Sequence, residues 1–530
     1  MLPARTAFVS FLCLLSMGLS NAQDSSLKSP PNIGSSTRLL ELGEAAYARK
    51  CVACHGEQGR GDGEAAYLLY PKPRDFVAAR YRLVSTWDRI PTDGDLFETI
   101  GRGMPGSAMP SWRHLPEETR WGLVRYIKSL AEKPLVVNPP SEPTEDGGIG
   151  SGIVAVPAAP TYDNAARKRA ELLFEEGCVG CHGSTGRGDG TTEQIDDEGY
   201  ATRPRDLTLG VFKGNPDPAA VYRRIVAGMP GTPMPMSDWI RGDDGWHLTH
   251  YVLAMSSEGE RERNEMHRYR IFATRVDTLP KHPDSALWQL TPPVNLHLMP
   301  LWWRDDRPQE LTVRALHDGA DIAILAVWRD DSNDCAIIRP QDFRDAVAIQ
   351  FSLTPDPPFF AMGEEGSAVN IWMWKSERQA DLRHAYQDME YAYPNLGIDS
   401  YTDLTRSPLE QPTRHTTTLD SDPLFITGWG AGNIVSDPTR REAVEDLRAQ
   451  GFGTLSARPP IDRTVKAAGV YEANTYRVVF RRALKVKGKE AVSLRPGESV
   501  PVAFAVWNGS AGDRDGKKSI TIWQDLEIER

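Results

Sequence analysis

The stretch CVACHGEQGRGDG, beginning at Cys51, returns almost unchanged as CVGCHGSTGRGDG, beginning at Cys178. Each copy sets two thiols and an imidazole in the order C-x-x-C-H: Cys51, Cys54 and His55, then Cys178, Cys181 and His182. Thiols one helical turn apart can add to the two vinyl groups of one porphyrin, and the adjacent histidine then lies under the ring, where it can bind iron. The pattern is the attachment signal of a c-type haem. The cysteine pairs would also suit one zinc ion with four thiolates, but that reading leaves both histidines and everything downstream without a role.

The downstream residues repeat as well. GRGMPGSAMPSW follows the first copy and VAGMPGTPMPMSDW the second. A thioether opposite the histidine would complete the iron's coordination and raise its reduction potential. Met109 lies 54 residues after His55 and Met234 lies 52 after His182. Met104 and Met229 are spaced as regularly, and all four precede a proline, so spacing alone does not choose between them. STRLLELGEAAYARK and TYDNAARKRAELLFEEG lead into the motifs with helical apolar spacing. PEETRWGLVRYIKSLAEK and DDGWHLTHYVLAMSS close the copies; Trp121, Val124, Ile127 and Leu130 make one apolar stripe. PRD recurs at Arg74 and Arg205, where a guanidinium either pairs with a haem carboxylate or lies exposed. The GRGDG segments read as turns under the haem, since no strand and helix flank them as a phosphate loop requires.

These features together resemble class I c-type cytochrome domains, twice over, across residues 36–260. The resemblance implies two small all-helical wraps, each around one haem, at 36–132 and 161–260. It also chooses Met109 and Met234, because the family places its ligand in the short loop before the closing helix. The Pro- and Gly-rich stretch 133–160 reads as a linker that allows some play between them.

At 530 residues the chain suits two to four domains. Its 40% hydrophobic and 25% charged residues describe a globular protein, and a net charge of −11 without basic–aromatic runs argues against a nucleic-acid partner. Arg5, the apolar run Thr6–Leu19 and the small residues Ser20-Asn21-Ala22 form a secretory signal over residues 1–22, too short to span a bilayer comfortably. The expected location is the periplasm, with membrane association through a complex; an uncleaved anchor is the alternative. Of six cysteines, Cys13 leaves with the signal and Cys335 stands outside both motifs.

From about residue 265 the periodicity changes. LTVRALHDGADIAILAVWRD, DAVAIQFSL, AVNIWMWKSE, TYRVVFRRAL and VPVAFAVWNGS are short, aromatic and β-branched, as in a β-sandwich or barrel. PPFFAMGEEGSAVNIWMWKSE, VEDLRAQGFGTLSARP and AFAVWNGSAGDRDGKKSITIWQDLEI resemble the haem b-binding domain of the ethylbenzene dehydrogenase γ-subunit family, over most of 290–530. The stretch from about 380 to 440 is longer than that family leads one to expect. The resemblance implies a β-sandwich holding one b-type haem between a methionine and a lysine, here Met362 and either Lys517 or Lys518. If KKSITIW is a strand, Lys518 shares a face with Ile520 and Ile522, which favours it as a neutral interior amine. Met373, within an alternating strand, ranks behind Met362. His297 and Cys335 are read as structural.

The expected architecture is thus two all-α class I cytochrome c domains followed by an all-β sandwich over 265–530. The expected function is an electron-transfer subunit with two haem c and one haem b and no substrate chemistry of its own. The γ-subunit resemblance implies as partners the molybdenum catalytic and iron–sulfur subunits of a DMSO reductase family enzyme, and a soluble or membrane cytochrome acceptor. The alternatives are a dihaem peroxidase or thiosulfate-oxidising cytochrome, and a free-standing dihaem shuttle whose β-domain binds no haem.

Overall fold

The structure, a computed structural model, describes residues 36–144, 150–237, 239–337, 339–358, 362–383, 442–459, 462–486 and 490–530. The expected signal segment and most of the unexpectedly long stretch 380–440 lie outside the described residues.

The first helical module comprises α1 (Ser36–Lys50), α2 (Val52–His55), α3 (Asp93–Arg102) and α4 (Glu117–Leu130). Helices α1 and α4 cross at two glycines: a Cβ on Gly43 would stand 2.0 Å from the Gly122 carbonyl oxygen, so only hydrogen fits. The stripe read from the sequence faces inward there, with Trp121, Val124 and Ile127 buried. Helix α3 escapes a reading by apolar period. Its start is nevertheless written in Thr92 and Asp95, whose side chains each accept the other's backbone N–H.

The second module repeats the plan with α5 (Asn164–Gly177), α6 (Val179–His182), α7 (Pro218–Ala227), α8 (Gly242–Ala254) and an added short α9 (Glu258–Arg263). Asp217 caps α7 and Pro218 starts it.

The linker allows less play than its composition suggests. Val154 is buried in one cluster with Trp87 of the first module and Tyr222, Val226 and Trp246 of the second. Its backbone donates to Ser85, and its carbonyl accepts from Arg223 Nε at 3.1 Å. Ion pairs Arg74–Glu198 and Arg82–Asp196 join the modules directly. Proline and glycine made the segment extended, and burial of its apolar side chains then fastened it.

The rest is β-rich: β1 (Arg270–Arg275), β2 (Val294–His297), β3 (Met299–Pro300), β4 (Glu310–His317), β5 (Asp321–Arg329), β6 (Ala346–Ser352), β7 (Val369–Lys375), then α10 (Ser376–Arg383), β8 (Val444–Ala449), β9 (Ser456–Ala457), β10 (Lys466–Glu472), β11 (Thr475–Ala483), β12 (Ser499–Trp507), β13 (Ser519–Ile520) and β14 (Gln524–Ile528). These strands form one 14-stranded sheet, not two separately hydrogen-bonded ones. Parallel pairing of β1 with both β14 and β4 joins its two halves. The halves share a core in which Trp328 of β5 stacks on Tyr476 of β11, and Trp374 of β7 packs against both. Among the described residues no helix is long and apolar enough to cross a membrane.

The helix crossing gives a direct test. Gly43→Ala forces α1 off α4 and is expected to cost about 1–3 kcal/mol in thermal or denaturant unfolding. Gly259→Ala in α9, where a Cβ meets nothing closer than 3.8 Å, is expected to be neutral or slightly stabilising.

Candidate functional site

Each C-x-x-C-H segment forms a single helical turn. In the first, the N–H groups of Cys54 and His55 both return to the Cys51 carbonyl. The GRGDG segment folds back beneath it: Gly61 N–H donates to His55 O and Gly63 N–H to Cys54 O. A Cβ on Gly63 would lie 2.4 Å from the Val52 carbonyl oxygen, so the repeat needs its glycines for close approach. None of Cys51, Cys54, Cys178 and Cys181 forms a disulfide. Burial pushes the Cys51 and Cys54 thiols up to about 12 and Cys178 up to about 11, so these sulfurs stay neutral.

The His55 ring is fixed by its far nitrogen. Nδ1 lies 3.0 Å from the Arg74 carbonyl, which can only accept, so Nδ1 carries the proton and Nε2 keeps its lone pair. Phe76 stacks on the ring at 4.4 Å. Burial pulls this imidazole down to about 4, against the hydrogen bond to Arg74, and it is neutral at pH 7. His182 is likewise pulled down to about 4 by burial, with Lys213 adding to the effect, and its Nδ1 is buried without a partner. Neutral imidazoles with a free lone pair are what iron requires.

His55 opens on a cavity of about 370 Å³. Cys51, Cys54, Leu96, Ile100, Trp112 and Ile127 supply apolar lining from the first module. Met104 and Met109 both line it, and the structure brings the rivals together in one tight loop. Met104 N–H donates to Met109 O at 3.0 Å, and Ser107 N–H donates to Met104 O. Met229 and Met234 close the equivalent loop at 3.1 Å. Met229, however, lines the first module's cavity.

The arginines of the two PRD segments are not exposed. Arg74 pairs with Glu198. Arg205 donates from Nη2 to Gly106 O at 3.0 Å, and Trp303 lies between its guanidinium, 3.5 Å from the ring centroid, and that of Arg307 at 4.0 Å.

In the β-rich part, Met362 and Lys518 adjoin one apolar cluster that includes Trp507, Ile520 and Ile522. Met362 has φ 61°, a left-handed conformation uncommon for a non-glycine residue. Its N–H donates to Gln350 Oε1 and its carbonyl accepts from Gly451 N–H, which hold it there. Met373 adjoins the same cluster from a regular strand position opposite Ala348. Lys518 is buried, makes no ion pair among the described residues, and has Nζ 4.9 Å from the Trp507 ring centroid. Burial pulls its amine down to about 8. Lys517 instead gives its ammonium to the Ala511 carbonyl. Strand alternation does not separate the lysines as the sequence suggested, because Ser519, Ile520, Thr521, Ile522 and Trp523 are all buried. Ala346, Ala348, Ala449 and Ala503 belong to the same cluster. A soft thioether and an amine whose charged form burial disfavours, both beside one apolar cluster with small residues, fit a porphyrin.

His297 lies outside the first cavity with both ring nitrogens buried and unpartnered, and burial pulls it down to about 3. Cys335 lies in the loop between β5 and β6. Sequence reasoning missed Lys213, Tyr70 and Trp303, which line the cavity without a motif to mark them.

Residues 285–519 match the ethylbenzene dehydrogenase family, 38–127 the family of cytochrome c oxidase, cbb3-type, subunit III, and 168–256 the cytochrome c family. The γ subunit of chlorate reductase from Ideonella dechloratans is 21% identical over 253 residues, 46% of this chain and 77% of that one. The γ subunit of dimethylsulfide dehydrogenase from Rhodovulum sulfidophilum is 26% identical over 254 residues, 46% and 73% of the two chains. A chain from the Kuenenia stuttgartiensis reducing HAO-like protein complex Kustc0457/Kustc0458 is 34% identical, with a TM-score of 0.37, over 43% of this chain and all of its own. Cytochrome c segments ahead of an ethylbenzene dehydrogenase segment define a multidomain haem protein. The chain thus carries two segments of cytochrome c type ahead of one of ethylbenzene dehydrogenase γ-subunit type. Its segments imply haem c and haem b.

The buried amine makes a stability prediction. Between about 8 and its ordinary value of 10.5, Lys518 binds more protons in the unfolded chain than in the folded one, so stability rises with pH across that window. Lys518→Met is expected to stabilise protein prepared without non-covalent porphyrin by about 1–3 kcal/mol at pH 7, and to flatten the rise. Thermal unfolding at pH 7 and 10 checks both.

Proposed function

We propose that this chain is an exported, periplasmic three-haem electron-transfer subunit. It carries haem c at Cys51/Cys54 and at Cys178/Cys181, and haem b between Met362 and Lys518. His55 with Met109, and His182 with Met234, would hold the irons of the two c haems. The haems supply one-electron redox chemistry; the chain fixes ligands, excludes water and holds the sites close. Its partners are the iron–sulfur and molybdenum subunits of a DMSO reductase family enzyme on one side and a cytochrome acceptor on the other. The names of the chlorate reductase and dimethylsulfide dehydrogenase relatives support that assignment.

One observation carries the relay. Leu301 N–H donates to Lys518 O at 2.9 Å, and Leu301 O accepts from Tyr70 N–H at 2.9 Å. Tyr70 lines the first cavity. Two backbone hydrogen bonds therefore join the proposed haem b ligand to the wall of the first haem c site. The left-handed backbone at Met362 supports it over Met373, since strain of this kind is retained where a side chain must point one way. One chain holding all the modules also raises their effective concentration for one another.

Pyridine haemochrome spectra are expected to give two c haems and one b haem per chain. Met362→Ala and Lys518→Leu are each expected to remove the b signal and leave the c signals intact; a chain with no b haem sinks the proposal. Met109→Ala is expected to abolish the methionine-to-iron charge-transfer band of one c haem, whereas Met104→Ala retains it. The opposite result assigns the ligand to Met104.

A further inference from the structure

The first cavity is not closed by its own module. Besides the apolar lining given above, it is walled by Arg205, Lys213 and Met229 of the second module and by Trp303 and Arg304 of the β-rich part. Four of the cations on this wall have a carboxylate: Arg74 has Glu198, Arg82 has Asp196, Arg203 has Asp305 and Arg304 has Asp513. Lys50 and Lys72 turn their ammonium groups to the carbonyls of Pro357 and Ala66. Arg205 and Lys213 differ. Arg205 is 6% exposed, its Nε is buried without a partner, and its one hydrogen bond goes to a neutral carbonyl. Lys213 makes no ion pair among the described residues, and burial together with Arg205 and Arg82 pushes its amine down to about 7. Two adjacent cations thus face the cavity with no carboxylate in contact: Asp305 and Asp196, which act on them at longer range, are already paired with Arg203 and Arg82. Such an arrangement is costly unless an anion completes it.

A c-type haem bound through Cys51 and Cys54 brings two carboxylates on the edge away from its vinyl groups. We propose that Arg205 and Lys213 of the second cytochrome module are the counter-charges for the carboxylates of the haem bound by the first, so that this site is complete only across the module boundary. The inference rests on the assignment of haem c to Cys51/Cys54 made above. Its consequence is electrostatic. Reduction adds one electron and lowers the positive charge of the site by one, so buried cations nearby favour the reduced form and raise its potential. Docking of the second module then sets the potential of the first haem as well as its own.

The test is a spectroelectrochemical titration of the full-length holoprotein. The first haem's wave is identified by its loss in Cys51→Ser/Cys54→Ser. Arg205→Leu and Lys213→Met are each expected to lower that wave's potential, the pair by about a tenfold change in the reduction equilibrium, ~59 mV for one electron. Arg205→Lys and Lys213→Arg are expected to restore it. Arg169→Gln, which breaks the Arg169–Asp244 pair on the second module's surface, is expected to leave it unmoved. If the variants lower the thermal midpoint while the wave stays in place, Arg205 and Lys213 only hold the modules together and the proposal falls. A shift confined to the other c-type wave also overturns it. Absence of haem on the peptide carrying Cys51 and Cys54, read by mass spectrometry, would instead remove the underlying assignment.

Discussion

The hydrogen bond between His55 Nδ1 and the Arg74 carbonyl organises much of this molecule. It fixes the tautomer and leaves Nε2 bare for a metal. It also pins the PRD segment beneath the first C-x-x-C-H turn, and the Arg74 side chain runs from there to Glu198 of the second module. One carbonyl therefore orients the proximal ligand, and the same residue's guanidinium helps dock the neighbouring module. The second copy keeps the motif without this contact, since His182 Nδ1 is unpartnered.

Burial of charge is the recurring theme around the first cavity. Taking Arg205 out of water is unfavourable, and so is desolvating the Lys213 and Lys518 amines. A protein selected for stability alone would replace these groups with apolar ones. Their presence where porphyrins are expected links local instability to cofactor binding, as does the left-handed backbone of Met362. The relay reading gains from the same geometry, because the backbone of Leu301, just after β3, bonds to Tyr70 through its carbonyl and to Lys518 through its N–H.

Helices that bracket the motifs were legible because each buries one stripe against a partner, as Trp121, Val124 and Ile127 do in α4. Strands β4–β7, β11 and β12 were legible from their β-branched and aromatic runs. Helices α3 and α7 were not read, although Thr92–Asp95 and Asp217-Pro218 are ordinary start signals, because their apolar stripes are short. Met104 and Met109 remained a pair of rivals for a structural reason: their loop closes on itself and sets both against one cavity.

The repeated C-x-x-C-H pattern determined by itself that the N-terminal half is built twice from one helical plan, since covalent attachment demands those residue types at that local spacing. Likewise the change from helical to strand periodicity near residue 265 was a local property of the chain. Tertiary structure alone decided that the linker is buried at Val154, that the second PRD arginine serves the first module's cavity, and that fourteen strands share one sheet. Those outcomes depend on contacts between residues far apart in the chain, such as Arg205 with Gly106 and Leu301 with Tyr70 and Lys518. Periodicity and motif spacing carry no record of which distant surface a side chain will meet.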